Sequence, residues 1–175
     1  MPDQDTVQAR LSAAKTGSEE AFADLLRGYY PALFRLVYQM VPCAQDVEDI
    51  LQETFFRFHR SLRRLRDGED PYPFLRTIAV RRTYTHLRRP RLHEVPLDDL
   101  PEDLPQLATL GHPMEVAVLY RLVGELPPKQ RMVFILREIL GVEDAETARL
   151  LSLRQVTVRR HASLAREALL RRLAP

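Results

Sequence analysis

The chain has 175 residues, of which 45% are hydrophobic and 29% charged, a composition that suits one or two small globular domains and excludes a disordered polymer. Its formal net charge of +2 is too small to make the whole chain a polycation, and a single cysteine, Cys43, excludes an internal disulfide and fits a reducing compartment. No apolar run approaches the ~18 residues of a membrane span, and the polar, acidic start MPDQDTVQAR is unlike a signal peptide, so a cytoplasmic location without membrane insertion is expected.

The first predicted helix covers roughly Asp5 to Lys15. Gly17 breaks it, Ser18 caps the next, and Glu19 and Glu20 fill that helix's first turn. The second helix runs to about Met40, with Pro31 as a candidate kink and Pro42 as its end. A third runs from Asp46 to about Arg66. Its inward face is Val47, Ile50, Leu51, Thr54, Phe55, Phe58, Leu62 and Leu65, which recur at three- and four-residue steps. Asp46 suits the N-cap or first turn, and Arg63, Arg64 and Arg66 the last turns, because the helix dipole favours those signs of charge there. Phe56 falls off the stripe, beside Asp49, Gln52, Glu53 and Arg60, and so marks a candidate contact surface.

DGEDPYP reads as a loop, and PFLRTIAVRRTYTHLRR as a fourth helix with Phe74, Leu75, Ile78, Ala79 and Leu87 as its apolar positions. Arg76, Arg81, Arg82, Arg88 and Arg89 mix there with Tyr72, Phe74 and Tyr84. Such cations track a phosphate backbone and such aromatics stack on unpaired bases; a solvated arginine face over core aromatics is the competing reading. From Pro90 to Pro113 the chain carries five prolines and no helical period, which predicts an extended linker. That segment holds one basic and five acidic residues, between flanks that are each mildly basic. The expected organisation is all-α: a helical domain over 1–89, a linker over 90–113 and a second helical domain over 114–175.

In the second half, Met114 to Leu126 reads as a helix, and Pro127 and Pro128 open another that Gly141 ends. Asp144–Leu151, a turn at Ser152 and Leu153, and a last helix from Gln155 to about Leu173 have helix-turn-helix spacing. Ala145, Ala148 and Leu151 face Val158, Ala162 and Ala165, and small alanines allow a close crossing. Arg154, Gln155, Thr157, Arg159 and Arg160 are then the outward positions, with donors and acceptors suited to base edges and phosphates. An ordinary helical hairpin with a basic face is the competing reading. No strand pattern, Gly-rich phosphate loop or catalytic set is present. His59, His86, His93, His112 and His161 are dispersed without metal-ligand spacing, so neither enzyme activity nor a metal or other cofactor is expected.

DVEDILQETFFRF, FLRTIAVRRTYTHLRR, LPPKQRMVFILREILG and the helix-turn-helix together resemble, in order and spacing, the extracytoplasmic-function sigma factors of bacterial RNA polymerase, here counted within the primary sigma family. The resemblance covers about Ala21 to Leu173 apart from the linker. It implies one domain for the promoter's minus-ten element and one for minus-thirty-five, with core polymerase, promoter DNA and an anti-sigma factor as partners. It further implies that Asp49, Gln52, Glu53 and Phe56 grip the polymerase, and that Arg63, Arg64, Arg66, Arg76, Arg81, Arg82, Tyr84 and Arg88 meet melted minus-ten DNA. Arg154, Gln155, Thr157, Arg159 and Arg160 would meet the minus-thirty-five duplex. The linker acids Glu94, Asp98, Asp99, Glu102 and Asp103 would run along the RNA path. Phe74, Arg81 and Thr85 stand where the family has tryptophan, asparagine and aspartate, which leaves the minus-ten base preference open. Ser152 replaces the turn glycine and Arg154 the serine cap, the latter a loss of about 0.5–2 kcal/mol. The alternative is a stand-alone helix-turn-helix regulator, which would have no need of DVEDILQETFF.

Overall fold

A computed structural model describes residues 3–41, 43–88 and 113–173, with no side chain described for Gln4 or for 113–117. Among the described residues every regular element is helical. The chain divides into two compact units, Met1–Tyr38 with Ala44–Thr83, and Gln39–Cys43 with Tyr84–Pro175. Arg89 and residues 90–112 of the expected linker, with its five acidic residues, lie outside the described residues, and Pro113, expected as the linker's last residue, instead opens a helix.

The first unit starts with α1, Gln4–Lys15, whose N-cap Asp3 accepts from the Thr6 amide. Gly17 takes a positive φ of 104°, and Ser18 Oγ accepts from the Ala21 amide at 3.2 Å, so the break and the cap occur where the sequence puts them. α2, Glu19–Met40, continues through Pro31 without ending. α3, Ala44–Ser61, carries Asp46 in its first turn. Its stripe is buried as expected, with Phe55 half-buried. Thr54 is tolerated in this apolar row because its hydroxyl donates to the Ile50 carbonyl at 2.7 Å.

α3 departs from expectation at its end. The α-helix stops at Ser61, Leu62–Arg64 form a 3₁₀ turn, and Leu65 is extended. Leu62 and Leu65 nevertheless stay buried, since a 3₁₀ turn superposes residues three apart. The next helix, α4, is Tyr72–Leu87, a residue earlier at its start than predicted. Leu75, Ala79 and Leu87 are buried and Phe74 and Ile78 half-buried. Val80 and Thr83 are buried too, and the Thr83 hydroxyl is satisfied by the Ala79 carbonyl at 2.9 Å.

In the second unit α5, Pro113–Gly124, precedes α6, Pro128–Phe134, which continues as a π-helical turn over Ile135–Ile139. The wider turn is visible in the Leu140 amide, which donates five residues back to Ile135. Gly141 then takes φ 62° and the Val142 amide reaches the Leu136 carbonyl at 2.8 Å, a glycine stop of the predicted kind. α7, Asp144–Leu151, and α8, Gln155–Leu173, complete it. Val133, Ala148, Val158 and Ala162 form the core where they cross, with Leu151 and Leu153 against it. Ala165 is buried as well; Ala145 is half-buried, while Thr147 and Leu150 occupy inward positions that the sequence pattern did not assign. Arg131 is buried yet satisfied, its Nε donating to the Val123 carbonyl at 3.1 Å.

Candidate functional site

Three surfaces carry the candidate residues. The first is the outer face of α3. Asp49 and Gln52 are exposed, and Phe56 is 60% exposed with the Arg60 guanidinium 5.8 Å from its ring centre. Glu53 differs from its neighbours. It is half-buried, accepts from Arg57 Nε at 2.6 Å and has Arg82 Nη1 at 3.7 Å. Its carboxylate is already paired with these two arginines at the surface, so Asp49, Gln52 and Phe56 are the groups of this face most available to a partner. Arg82 is in turn partly committed to tying α4 to α3.

The second surface is the loop after α3. Arg63, Arg64 and Arg66 are all exposed on it, and α1 and α2 hold it from behind. Lys15 Nζ donates to the Leu65 carbonyl at 2.7 Å and to Asp67 Oδ1 at 2.8 Å. The Gln8 amide spans the next turn, donating to the Glu69 carbonyl at 3.0 Å and accepting from the Gly68 amide at 2.9 Å. Tyr29 donates its hydroxyl to Asp70 Oδ1 at 2.8 Å, and the same oxygen accepts the Tyr72 amide. The Lys15 ammonium holds the Asp67 carboxyl below its usual range, chiefly by that hydrogen bond. Burial and then Asp70 push the Tyr29 hydroxyl well above the usual phenol range. These clamps shape an open groove of about 450 Å³ lined by Arg64, Leu65, Glu69, Asp70, Pro73, Phe74 and Thr77. Phe74 is half-buried, its ring 6.1 Å from that of Phe58, so it serves as both core and groove wall.

Along α4, Arg76 and Arg82 are half-buried and Arg81 is exposed. Tyr84 and Arg88 fall in the other unit, where the Arg88 guanidinium lies 5.8 Å from the Tyr84 ring centre. That pairing is a local cation–π contact.

The third surface is the helix-turn-helix. Ser152 caps α7 in the left-handed conformation, φ 55° and ψ 46°, a geometry that glycine adopts without strain. The Leu153 amide returns to the Ala148 carbonyl at 2.8 Å. α8 then starts with Arg154, Gln155, Arg159 and Arg160 exposed and Thr157 half-buried. Arg159 is not loose: its Nε donates to Asp144 Oδ2 at 2.8 Å. Arg137 Nε lies 2.6 Å from the other oxygen of Asp144, a close ion contact rather than a well-directed hydrogen bond. Asp144 therefore sits below the usual carboxylate range, with Arg159 the first cause. His161 is half-buried, and burial followed by Lys129 and Arg160 holds its imidazole below the usual value.

Sequence reasoning missed four residues. Gln8 and Lys15 clamp a loop some fifty to sixty positions away, which no local pattern encodes. Asp144 opens a short helix in the sequence pattern, which carries no sign of its pairing with Arg159. Val156, 75% exposed, did carry a signal: Val158 sits two residues on and is buried, and residues two apart cannot share a helical face.

Among the described residues no group of three or more His, Cys, Asp or Glu side chains could hold a metal ion, and no helix is long and apolar enough to cross a membrane.

Residues 25–92 match the family described as Sigma-70 region 2, and residues 117–169 match Sigma-70, region 4. The RNA polymerase sigma-E factor of Streptomyces coelicolor is 31% identical over 83% of this chain and 82% of its own length. The chain belongs to the RNA polymerase sigma factors. Within them it is similar to the ECF RNA polymerase sigma-E factor of Escherichia coli, 29% identical over 100% of this chain and 98% of that protein. The RNA polymerase sigma-H factor of Pseudomonas aeruginosa is 28% identical over 100% and 97%. These relatives support the extracytoplasmic-function group; membership of the primary sigma family finds no support among them. Two solved structures share the fold. CnrH in complex with the cytosolic domain of CnrY has a TM-score of 0.60 at 22% identity, over 96% of this chain and 97% of that one. The sigma factor RpoE from Bartonella quintana, in complex with the anti-sigma factor NepR, has a TM-score of 0.57 at 18% identity, over 88% and 98%. The region 2 match also disposes of the stand-alone regulator, which had no use for the first half.

Proposed function

We propose how this sigma factor, which directs RNA polymerase to promoters, divides that work among its surfaces. The outer face of α3 binds core polymerase through Asp49, Gln52 and Phe56, with Glu53 chiefly fixing the face. The clamped loop with Arg63, Arg64 and Arg66, and the arginines 76, 81, 82 and 88 with Tyr84, meet the melted minus-ten strand. Cations there neutralise phosphates and aromatics stack on bases. The start of α8, with Arg154, Gln155, Thr157, Arg159 and Arg160, enters the major groove at minus-thirty-five, because only the N-terminal end of a recognition helix reaches base edges. Domains over 1–89 and 114–175 do this work, and the acidic linker over 90–113 follows the RNA path. The protein acts in the cytoplasm, without catalytic groups of its own, and an anti-sigma factor restrains it; complexes of its structural neighbours with CnrY and NepR support that partner.

One observation carries this reading: an exposed phenylalanine beside exposed Asp49 and Gln52 stands on a helix whose other face is fully used in the core. Asp49→Ala, Gln52→Ala and Phe56→Ala together should weaken core polymerase binding at unchanged helicity. Unchanged affinity in a pull-down would reject this face. Adding the chain to core polymerase and sequencing the transcripts identifies the promoters.

A further inference from the structure

Val156 is the most exposed large hydrophobic side chain described, at 75%, and it is the second residue of α8. With 3.6 residues per turn, the buried Val158, Ala162, Ala165 and Leu169 define the inward side of α8. Val156 and Arg160 fall on the opposite side, with Arg159 next to them. Thr157, by contrast, is half-buried. An apolar side chain held out among Arg154, Arg159 and Arg160 cannot serve an apolar protein partner well, since burying it would strip water from three cations. A polyanion removes that conflict, because phosphates accept the arginines while the groove floor meets the valine. The one apolar feature of a major-groove floor is the 5-methyl group of thymine. Valine also suits such a contact because its β-branch is stiff and points its methyls in one direction.

We propose that Val156 is a specificity-determining residue that packs against a thymine methyl in the minus-thirty-five element. It rests on the reading that the start of α8 lies in that groove. Gln155 and Arg159 flank it and read hydrogen-bonding edges, while Val156 reads the methyl.

The test uses the full chain bound to core polymerase. Promoter duplexes are selected from a pool randomised across the minus-thirty-five element, and each selected thymine is then replaced singly by deoxyuridine, which lacks only the methyl. One replacement should lower open-complex formation about fourfold, the factor expected for burial of one methyl group. Val156→Ser should form complexes on the thymine and deoxyuridine duplexes equally, with an unchanged melting temperature because the side chain is exposed. The proposal fails if no replacement has an effect, if the selected element holds no thymine, or if Val156→Ser keeps the same penalty. Gln155→Ala and Arg159→Ala, at the two positions argued to read base edges, serve as controls. If they too leave minus-thirty-five selection unchanged, the groove reading of α8 falls as well; if they alter it, only the role of Val156 falls.

Discussion

At Ser152 a single side chain is forced into backbone geometry that L-residues avoid. Its φ of 55° crowds Cβ against the following carbonyl, at about 1–2 kcal/mol, and glycine would escape that at the expense of a freer unfolded chain, roughly 0.5–1 kcal/mol. Ser152→Gly should therefore stabilise the second unit by up to about 1 kcal/mol, and Ser152→Val should destabilise it by more, both read from thermal melts. Asp144 is a second single-residue case. Its carboxyl is depressed from the ordinary 3.8, by Arg159 first and by Arg137. A depressed folded-state value means its stabilisation is complete above 3.8 and disappears as pH falls through the lower folded value. Asp144→Asn should thus be less stable than the parent at pH 7, and denaturant titrations should find that gap narrowing progressively as pH falls below 3.8. The same variant frees Arg159 from its tether, so it should broaden minus-thirty-five selection.

Among the elements, the end of α3 illustrates what apolar periodicity can and cannot reveal. Leu62 and Leu65 continue the stripe whether the backbone is α or 3₁₀, because residues three apart share a side in both. The sequence therefore located the inward face correctly but carried the α-helix past Ser61. Beyond the helix the chain is held by non-local bonds: Lys15 captures the Leu65 carbonyl, and Gln8 captures both sides of the turn at Gly68. Gly68, at φ 89°, supplies the backbone that this turn requires. The cap at Ser18 was legible because it is local, whereas Asp3, which caps α1 ahead of the expected start at Asp5, was not assigned; the clamps and the Asp144 tether were not legible, since each joins separate helices or loops. Lys15→Met keeps the stem but loses the donor. The exposed arm to Asp67 contributes little, whereas the partly buried arm to Leu65 is worth roughly 0.5–1.5 kcal/mol. The variant should melt several degrees lower, as ~1 kcal/mol lowers a 60–100-residue domain by about 4–8 °C. Because that loop carries Arg63, Arg64 and Arg66, it should also lose more activity on promoters with mismatched minus-ten elements than on matched ones. Equal losses on both would show that the clamp serves stability alone.

For the whole molecule the charge pattern decides how DNA is engaged. Two mildly basic halves flank an acidic segment, and the sum is only +2, so the free chain lacks the field that drives unaided binding to duplex. Specificity must then come from a few contacts presented once core polymerase is bound, and the arginines of α8 divide accordingly. Arg159 is steered by Asp144, which leaves its terminal nitrogens to face a base edge, whereas Arg160 is exposed beside Val156 and suits a phosphate. A base contact worth ~1–3 kcal/mol should redistribute choice among promoters. A phosphate contact should weaken all of them and lower the slope of log affinity against log salt by about 0.9. Holoenzyme binding measured between 50 and 200 mM salt, conditions over which phosphate contacts weaken measurably, separates the two. Arg159→Ala should reorder promoters with a slope close to the parent's, and Arg160→Ala should preserve their order with a shallower slope. If Arg159→Ala instead lowers every promoter equally and flattens the slope, its tether to Asp144 positions a phosphate contact and the base reading moves to Gln155 and Val156.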